Sequence, residues 1–186
     1  MQDLLNSQNQ PSKQKFAVFF RFLGQISYWI HLIFGATSAI ILGLIIFSLR
    51  LGESTNNAAI NVSIVLTIAS LIALGIRVFF AWRYSRMAKQ LQINILQPDR
   101  REIIGVLRIG LGISLLGLVL AFLASETTTI TIIATAMARP QVATLYEPQQ
   151  MLETADLFLD FVSITVLGAH ALGVINALGL LNWITK

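Results

Sequence analysis

Residues 103–124 read IIGVLRIGLGISLLGLVLAFLA, twenty-two positions with a single charged side chain, Arg108. A bilayer core about 30 Å thick is crossed by about 20 consecutive, mostly apolar residues wound as a helix. Three further stretches have the same character, at about 26–49, 58–80 and 157–184. The whole 186-residue chain follows suit, with 55% apolar and only 12% charged residues and a mean hydropathy of +0.73. A soluble domain carries about 25% charged residues, so this chain cannot wet the surface of a compact globule. Disorder requires low hydrophobicity and high charge, the reverse of what is seen. Alternating ten-residue strands are absent, which leaves no basis for an outer-membrane barrel. The predicted fold class is all-α, an integral membrane bundle of four transmembrane helices. A polar tail (1–15) precedes a single transmembrane domain (16–186).

The cations predict the orientation. With both termini on the cytoplasmic side, that side holds Lys13, Lys15, Arg21, Arg77, Arg83, Arg86, Lys89, Arg100, Arg101, Arg108 and Lys186. The outer side holds only Arg50 and Arg139. Six of the nine carboxylates fall outside, giving net +8 inside and −4 outside, and the overall charge of +4. Cytoplasmic loops of membrane proteins carry such an excess of Lys and Arg. The pI near 9.9 therefore reflects topology, and no nucleic-acid partner is expected. No apolar run with a cleavage site follows residues 1–15, so a signal peptide is not expected. Lys13 to Gly24 mixes Lys13, Lys15 and Arg21 with Phe16, Phe19, Phe20 and Phe22, the composition of a short interfacial helix. Asp99 is available to cap the third helix. Thr127 to Ala138 is too short to cross alone, and three placements stay open: an extension of the third helix, an interfacial segment, or a re-entrant one.

Ionisable residues inside the spans mark candidate chemistry, since each is costly in hydrocarbon. Arg77 and Arg108 lie near inner helix ends, where long side chains reach the interface. His31 and His170 fall about 14 Å apart in depth at 1.5 Å per residue, too far to share one ion. On the fourth helix Asp156, Ser163 and His170 recur at seven and share a face. Asp160 and Glu153 flank Asp156 at i+4 and i−3. Carboxylates attract hard cations and a neutral imidazole takes a transition metal. Asp156, Asp160 and His170 thus form the candidate metal path, an acidic outer mouth leading to a mid-membrane histidine. The competing reading is acids placed at a helix N-terminus, plus a histidine bonded within the bundle. Ser63, Thr67 and Ser70 form a mild polar stripe that could face the same interior, or bond back onto their own helix.

Small residues carry the expected packing. Gly105 and Gly112, like Gly110 and Gly117, recur at seven. Gly110/Ser114 and Gly117/Ala121 have the small-xxx-small spacing that lets helix backbones approach, and so do Ala169, Gly173 and Ala177. Helices three and four are expected to pack closely on each other or on a second copy. The chain has no cysteine, no phosphate-binding glycine loop, no nucleophile elbow and no HExxH. It is not expected to be an enzyme or to hold a firmly bound cofactor.

Phe20-Arg21-Phe22-Leu23-Gly24 with Tyr28-Trp29 resembles the start of a cyanobacterial and plastid membrane-protein family. That family is typified by the chloroplast inner-envelope protein called permease in chloroplasts, also described as a small subunit of the inner-envelope protein-import translocon. Arg83-Tyr84-Ser85-Arg86, Leu107-Arg108-Ile109-Gly110-Leu111, Gly117, Asp156, and Ala169-His170 with Gly173 continue the match in order. The chain departs from the family where Val162 to Leu167 keeps only Ser163 and Thr165 of an Asn/Thr-rich stretch. It departs again where His31 stands in place of a glutamine. The resemblance implies four helices and either iron permeation, with iron as cargo, or protein import. It also implies a homo-oligomer or a larger membrane complex, in the plasma or thylakoid membrane of a cyanobacterium. A non-enzymatic protein aiding translocation or membrane-complex assembly is the alternative to a permease.

Overall fold

The computed structural model describes residues 2–51, 58–93, 100–138 and 149–185, all helical. The helices are α1 (Gln2–Leu51), α2 (Ala58–Ile93), α3 (Arg100–Ala138) and α4 (Gln149–Thr185). Each contains a stretch long and apolar enough to span a bilayer: Phe20–Leu49, Ala58–Met87, Arg101–Met137 and Thr154–Ile184. Consecutive helices pack against each other and α1 closes on α4, with α3 against α4 the most extensive pair. Arg83 near the end of α2 bonds Glu102 at the start of α3. Ser63 near the start of α2 bonds Thr128 far along α3. The bundle therefore runs up-down-up-down, with a basic and an acidic end.

Its surface is inverted relative to a soluble bundle. Phe22, Trp29, Ile40, Leu44, Phe47, Ile72, Phe79, Leu116, Phe161 and Ile175 are exposed, while twelve polar or charged side chains among the described residues are buried. Outward apolar and inward polar is the pattern that a hydrocarbon solvent selects. Two apolar clusters bracket the interior. At the basic end are Phe20, Ala81, Met87, Ile103, Val106, Leu107 and Leu180. Toward the acidic end are Leu42, Ile45, Leu74, Ala121, Leu159, Val162 and Val166.

Two boundaries differ from the sequence expectation. The interfacial segment is not a separate element, because α1 runs unbroken from Gln2 for 50 residues, about 75 Å at 1.5 Å per residue. Gly24, the one helix-weakening residue between Lys13 and the first span, is buried in the bundle and does not break it. Thr127 to Ala138 extends α3, the first of the three placements. The threonines keep it helical by satisfying themselves on the preceding turn. Thr127 donates to the Leu123 carbonyl, Thr128 to Ala124, Thr131 to Thr127 and Thr135 to Thr131. Asp99, the proposed cap of the third helix, lies outside the described residues.

Candidate functional site: a polar spine through the bundle

The Ser63–Thr67–Ser70 stripe faces the interior, and all three side chains are fully buried. Ser63 shares a hydrogen bond with Thr128 at 2.5 Å and donates to the Ala124 carbonyl at 2.9 Å. A turn deeper, Thr67 meets Ser163 of α4 at 3.0 Å. Another turn on, Ser70 donates to the Gly117 carbonyl at 2.8 Å. The Nε2–H of His170 donates to the Ser70 carbonyl at 3.2 Å. Hydroxyls thus tie α2 to α3 and α4 at successive levels, using bonds that between transmembrane helices are worth about 0.6 kcal/mol each on average.

The heptad face of α4 lies on this spine. Asp156, Ser163 and His170 are all buried, and Ala177 continues the face as core. Asp160 is half-buried beside them and accepts a hydrogen bond from Ser125 at 2.6 Å. The three candidate metal residues are strung along one helix and do not surround one point. Asp160 and His170 are ten residues apart, about 15 Å along the axis. Among the described residues, no three of His, Cys, Asp and Glu gather as a metal cluster. Glu153 belongs to α4, but its side chain lies outside the description.

Below His170 the spine ends in a knot around Gly173. Arg77 is fully buried, and its guanidinium donates to the Gly173 carbonyl at 3.1 Å. This corrects the expectation that it snorkels. Counting from Met87, Arg77 is ten residues inside its span, about 15 Å along the helix, and it is held by α4. A Cβ built on Gly173 would stand 2.8 Å from Ser114 Oγ, 2.9 Å from His31 Nε2 and 3.2 Å from Arg77 Nε. Side chains from α1, α2 and α3 therefore converge on one glycine of α4. Gly117 of α3 has the same role toward His170, nearer the acidic end. Its Cβ would meet the His170 ring at 2.1 to 2.7 Å, so only glycine admits the imidazole there.

The depth assigned to His31 also changes. Its span begins at Phe20 rather than near Ile26, which puts His31 eleven residues inside, about 16 Å. His170 is fourteen residues from Ile184, about 21 Å from the same end, so the offset shrinks to about 5 Å. Both histidines belong to one buried polar group, with Arg77 next to it. His31 Nδ1–H donates to the Ser27 carbonyl one turn earlier.

The packing residues divide by environment. Gly110, Ser114, Gly117 and Ala121 of α3 are buried, as are Ala169, Gly173 and Ala177 of α4. The close approach is therefore between these two helices of one chain. A Cβ added at Gly105 or Gly112 would have nothing within 4 Å, so both positions open outward. Of the orientation residues, Arg21, Arg83, Arg86, Lys89 and Arg101 are exposed at the basic end. Arg83 pairs with Glu102 at 3.4 Å, and Arg86 stacks 3.8 Å over Trp82. The side chains of Lys13, Lys15 and Arg100 lie outside the description.

Sequence reasoning missed Arg77, Ser114 and Gly173 as partners. The signal was present: Arg77 lies seven residues after Ser70 and continues the buried stripe.

Four long helices with lipid-compatible outer faces and an internal polar spine define an integral multi-pass membrane protein. The chain belongs to the family described as "Protein of unknown function (DUF3611)", whose model matches residues 10–185. It is 27% identical over 180 residues to "Protein TIC 21, chloroplastic" of Arabidopsis thaliana, a match covering 92% of this chain. The chain spans 58% of the length of that relative. The resemblance read from the sequence is thereby borne out as a distant relationship. No solved structure matches.

Proposed function

We propose that this protein is a permease or permease subunit for a small cation, with iron the cargo that the family resemblance implies. The observation that carries the reading is the succession of inward polar side chains along α4 and its neighbours, Asp156, Asp160 with Ser125, Ser163 with Thr67, and His170. Burying that many polar groups in a membrane bundle is costly, and intramembrane ionisable groups tend to mark ion or proton pathways. Asp156 and Asp160 collect a hard cation at the acidic end, and His170 offers it an imidazole at mid-depth. Arg77 and the apolar cluster of Phe20, Leu107 and Leu180 close the route toward the basic end. In this conformation the route is shut, and passage requires α4 to move away from α3. The acidic end faces outward and both termini face the cytoplasm in this proposal, following the charge distribution. Four helices barely enclose a path, which favours an oligomer.

The test is iron uptake into proteoliposomes. Asp160→Asn and His170→Ala should each abolish most uptake while the protein still inserts. Wild-type uptake in both variants would show that the path is wrong.

A second reading is a non-enzymatic subunit aiding translocation or assembly of other membrane proteins. It is favoured by Gly43, Gly105, Gly112 and Gly179, which lie open on the outer surface where another helix can approach. Absence of metal uptake by purified protein that co-purifies with translocon or photosystem subunits would select it.

A further inference from the structure

We propose that the outward face of α3 at the basic end binds one anionic phospholipid, its phosphate between Arg101 and Arg108 and an acyl chain running down the same face. Arg101, Gly105, Arg108, Gly112, Leu115 and Val119 define that face, all within about 80° of one another at 3.6 residues per turn. Gly105 is half-buried and the other five are exposed. Cations and glycines alternate near the helix start, and aliphatic side chains follow toward the bilayer centre.

The need for an anion comes from Arg108. It lies six residues past Glu102, about 9 Å deeper along the axis than the exposed Arg83–Glu102 ion pair. Its neighbour Ile109 is exposed, so this part of α3 faces acyl chains. An exposed guanidinium at that depth is costly without a counter-charge. Arg108 makes no ion pair or hydrogen bond with the described residues. Helical side chains lean toward the helix N-terminus, and for α3 that is the basic end. The Arg108 stem is thereby directed toward the level of Arg101 and the headgroups, where a phosphate accepts two parallel bonds from one guanidinium. Arg101 interacts within the chain and contributes as a second fixed positive charge. Glu102, the carboxylate that would repel a headgroup, is engaged by Arg83. A Cβ added at Gly105 or Gly112 would have nothing within 4 Å, so the two glycines leave an open furrow beside the cations. A second copy of the chain is the competing occupant, but a parallel contact there would set Arg101 and Arg108 against their own images. The lipid site stands whether or not the protein moves an ion.

The test is native mass spectrometry of the full chain in detergent with equal amounts of phosphatidylglycerol and phosphatidylcholine. Wild type should retain one phosphatidylglycerol per chain in preference to phosphatidylcholine. Arg108→Gln should weaken that retention about fivefold, the loss expected for one cation at an anionic headgroup. Gly105→Leu fills the furrow, keeps every charge, and should weaken retention as well. Arg21→Gln removes the same charge from α1, which makes no contact with α3 among the described residues, and should leave retention unchanged. Equal losses in Arg21→Gln and Arg108→Gln would reduce the effect to overall charge and overturn the site. Equal retention of the two lipids by wild type, or undiminished retention in Gly105→Leu, would also overturn it. Disulfide crosslinking of Gly112→Cys between copies, unaffected by added phosphatidylglycerol, would give the face to a second copy instead.

Discussion

Gly117→Ala is the sharpest perturbation the bundle allows. The new methyl would lie 2.1 Å from Cε1 and 2.2 Å from Nε2 of His170, where ordinary contact begins at 3.4 Å. Either the imidazole or the helix must retreat by about 1.3 Å. His170 is fully buried, with its Nε2–H on the Ser70 carbonyl, so the ring cannot turn away freely. Overpacking of this kind costs about 1–3 kcal/mol, and losing the hydrogen bond adds about 0.5–1.5 kcal/mol. A loss of about 2–4 kcal/mol is expected from these two contributions. Gly112→Ala is the internal control, because nothing stands within 4 Å of its methyl. It should stay within about 0.5 kcal/mol of wild type. The assay is reversible unfolding in phospholipid–detergent micelles titrated with dodecyl sulfate. Adding His170→Ala to Gly117→Ala removes the ring that clashes, so the double variant should be more stable than the sum of the singles by about 1 kcal/mol or more. Strict additivity, or a Gly117→Ala midpoint equal to that of Gly112→Ala, would refute the contact.

Gly173→Ala meets softer neighbours at 2.8 to 3.2 Å, one of them on a long arginine. It should cost less than Gly117→Ala, about 1–2 kcal/mol in the same titration, and the reverse order would contradict the geometry. The combined variant Arg77→Met, His31→Leu, Ser114→Ala replaces the knot with apolar groups. Removing one partner of a buried charged group is strongly destabilising, whereas replacing the whole set is often neutral or stabilising. The triple variant should therefore unfold no earlier than Arg77→Met alone, and earlier unfolding would make the knot a stabilising element in its own right. Cysteines placed at Asn57 and Gln149 should react with an impermeant reagent from outside, and one at Gln92 should not. The opposite labelling would reverse the proposed orientation.

The spans were legible because a bilayer imposes one demand, length without charge, and residues 103–124 or 157–184 meet it plainly. Where the helices stop was not. Threonines at 127, 128, 131 and 135 look like the end of an apolar run, yet each caps its own preceding turn and lets α3 continue. The α4 face of Asp156, Ser163 and His170 was readable from a heptad count, as was the small-residue contact of α3 with α4. The knot was not, because it depends on how α1 is placed axially. A span start displaced by six residues shifted His31 by about 9 Å and separated two histidines that belong together. Arg77 was misread for a related reason. Distance from a helix end decides whether a guanidinium snorkels, and α2 continues to Ile93, well beyond the expected end.

The arrangement of charge inside the bundle bears on which proposed role is tenable. A membrane protein that only offers lipid-facing surfaces to partners needs an interior that packs, and leucine or alanine would serve. Among the described residues the interior instead holds a guanidinium, two imidazoles and eight serine or threonine hydroxyls, with apolar clusters toward each end. Hydrogen bonds between transmembrane helices contribute little net stability, about 0.6 kcal/mol on average, so stability alone is a weak reason for so polar a core. What such a core does provide is a set of alternative partners for water or an ion when helices shift, which an apolar core cannot offer. At Gly117 α4 packs on α3 through His170, and at Gly173 it receives Arg77 and His31, so under the proposed permease reading a shift of α4 would alter both contacts. Any movement that admits a cation past His170 must carry it against Arg77. Under the proposed permease reading, the guanidinium is the group whose displacement would separate a conducting state from a closed one.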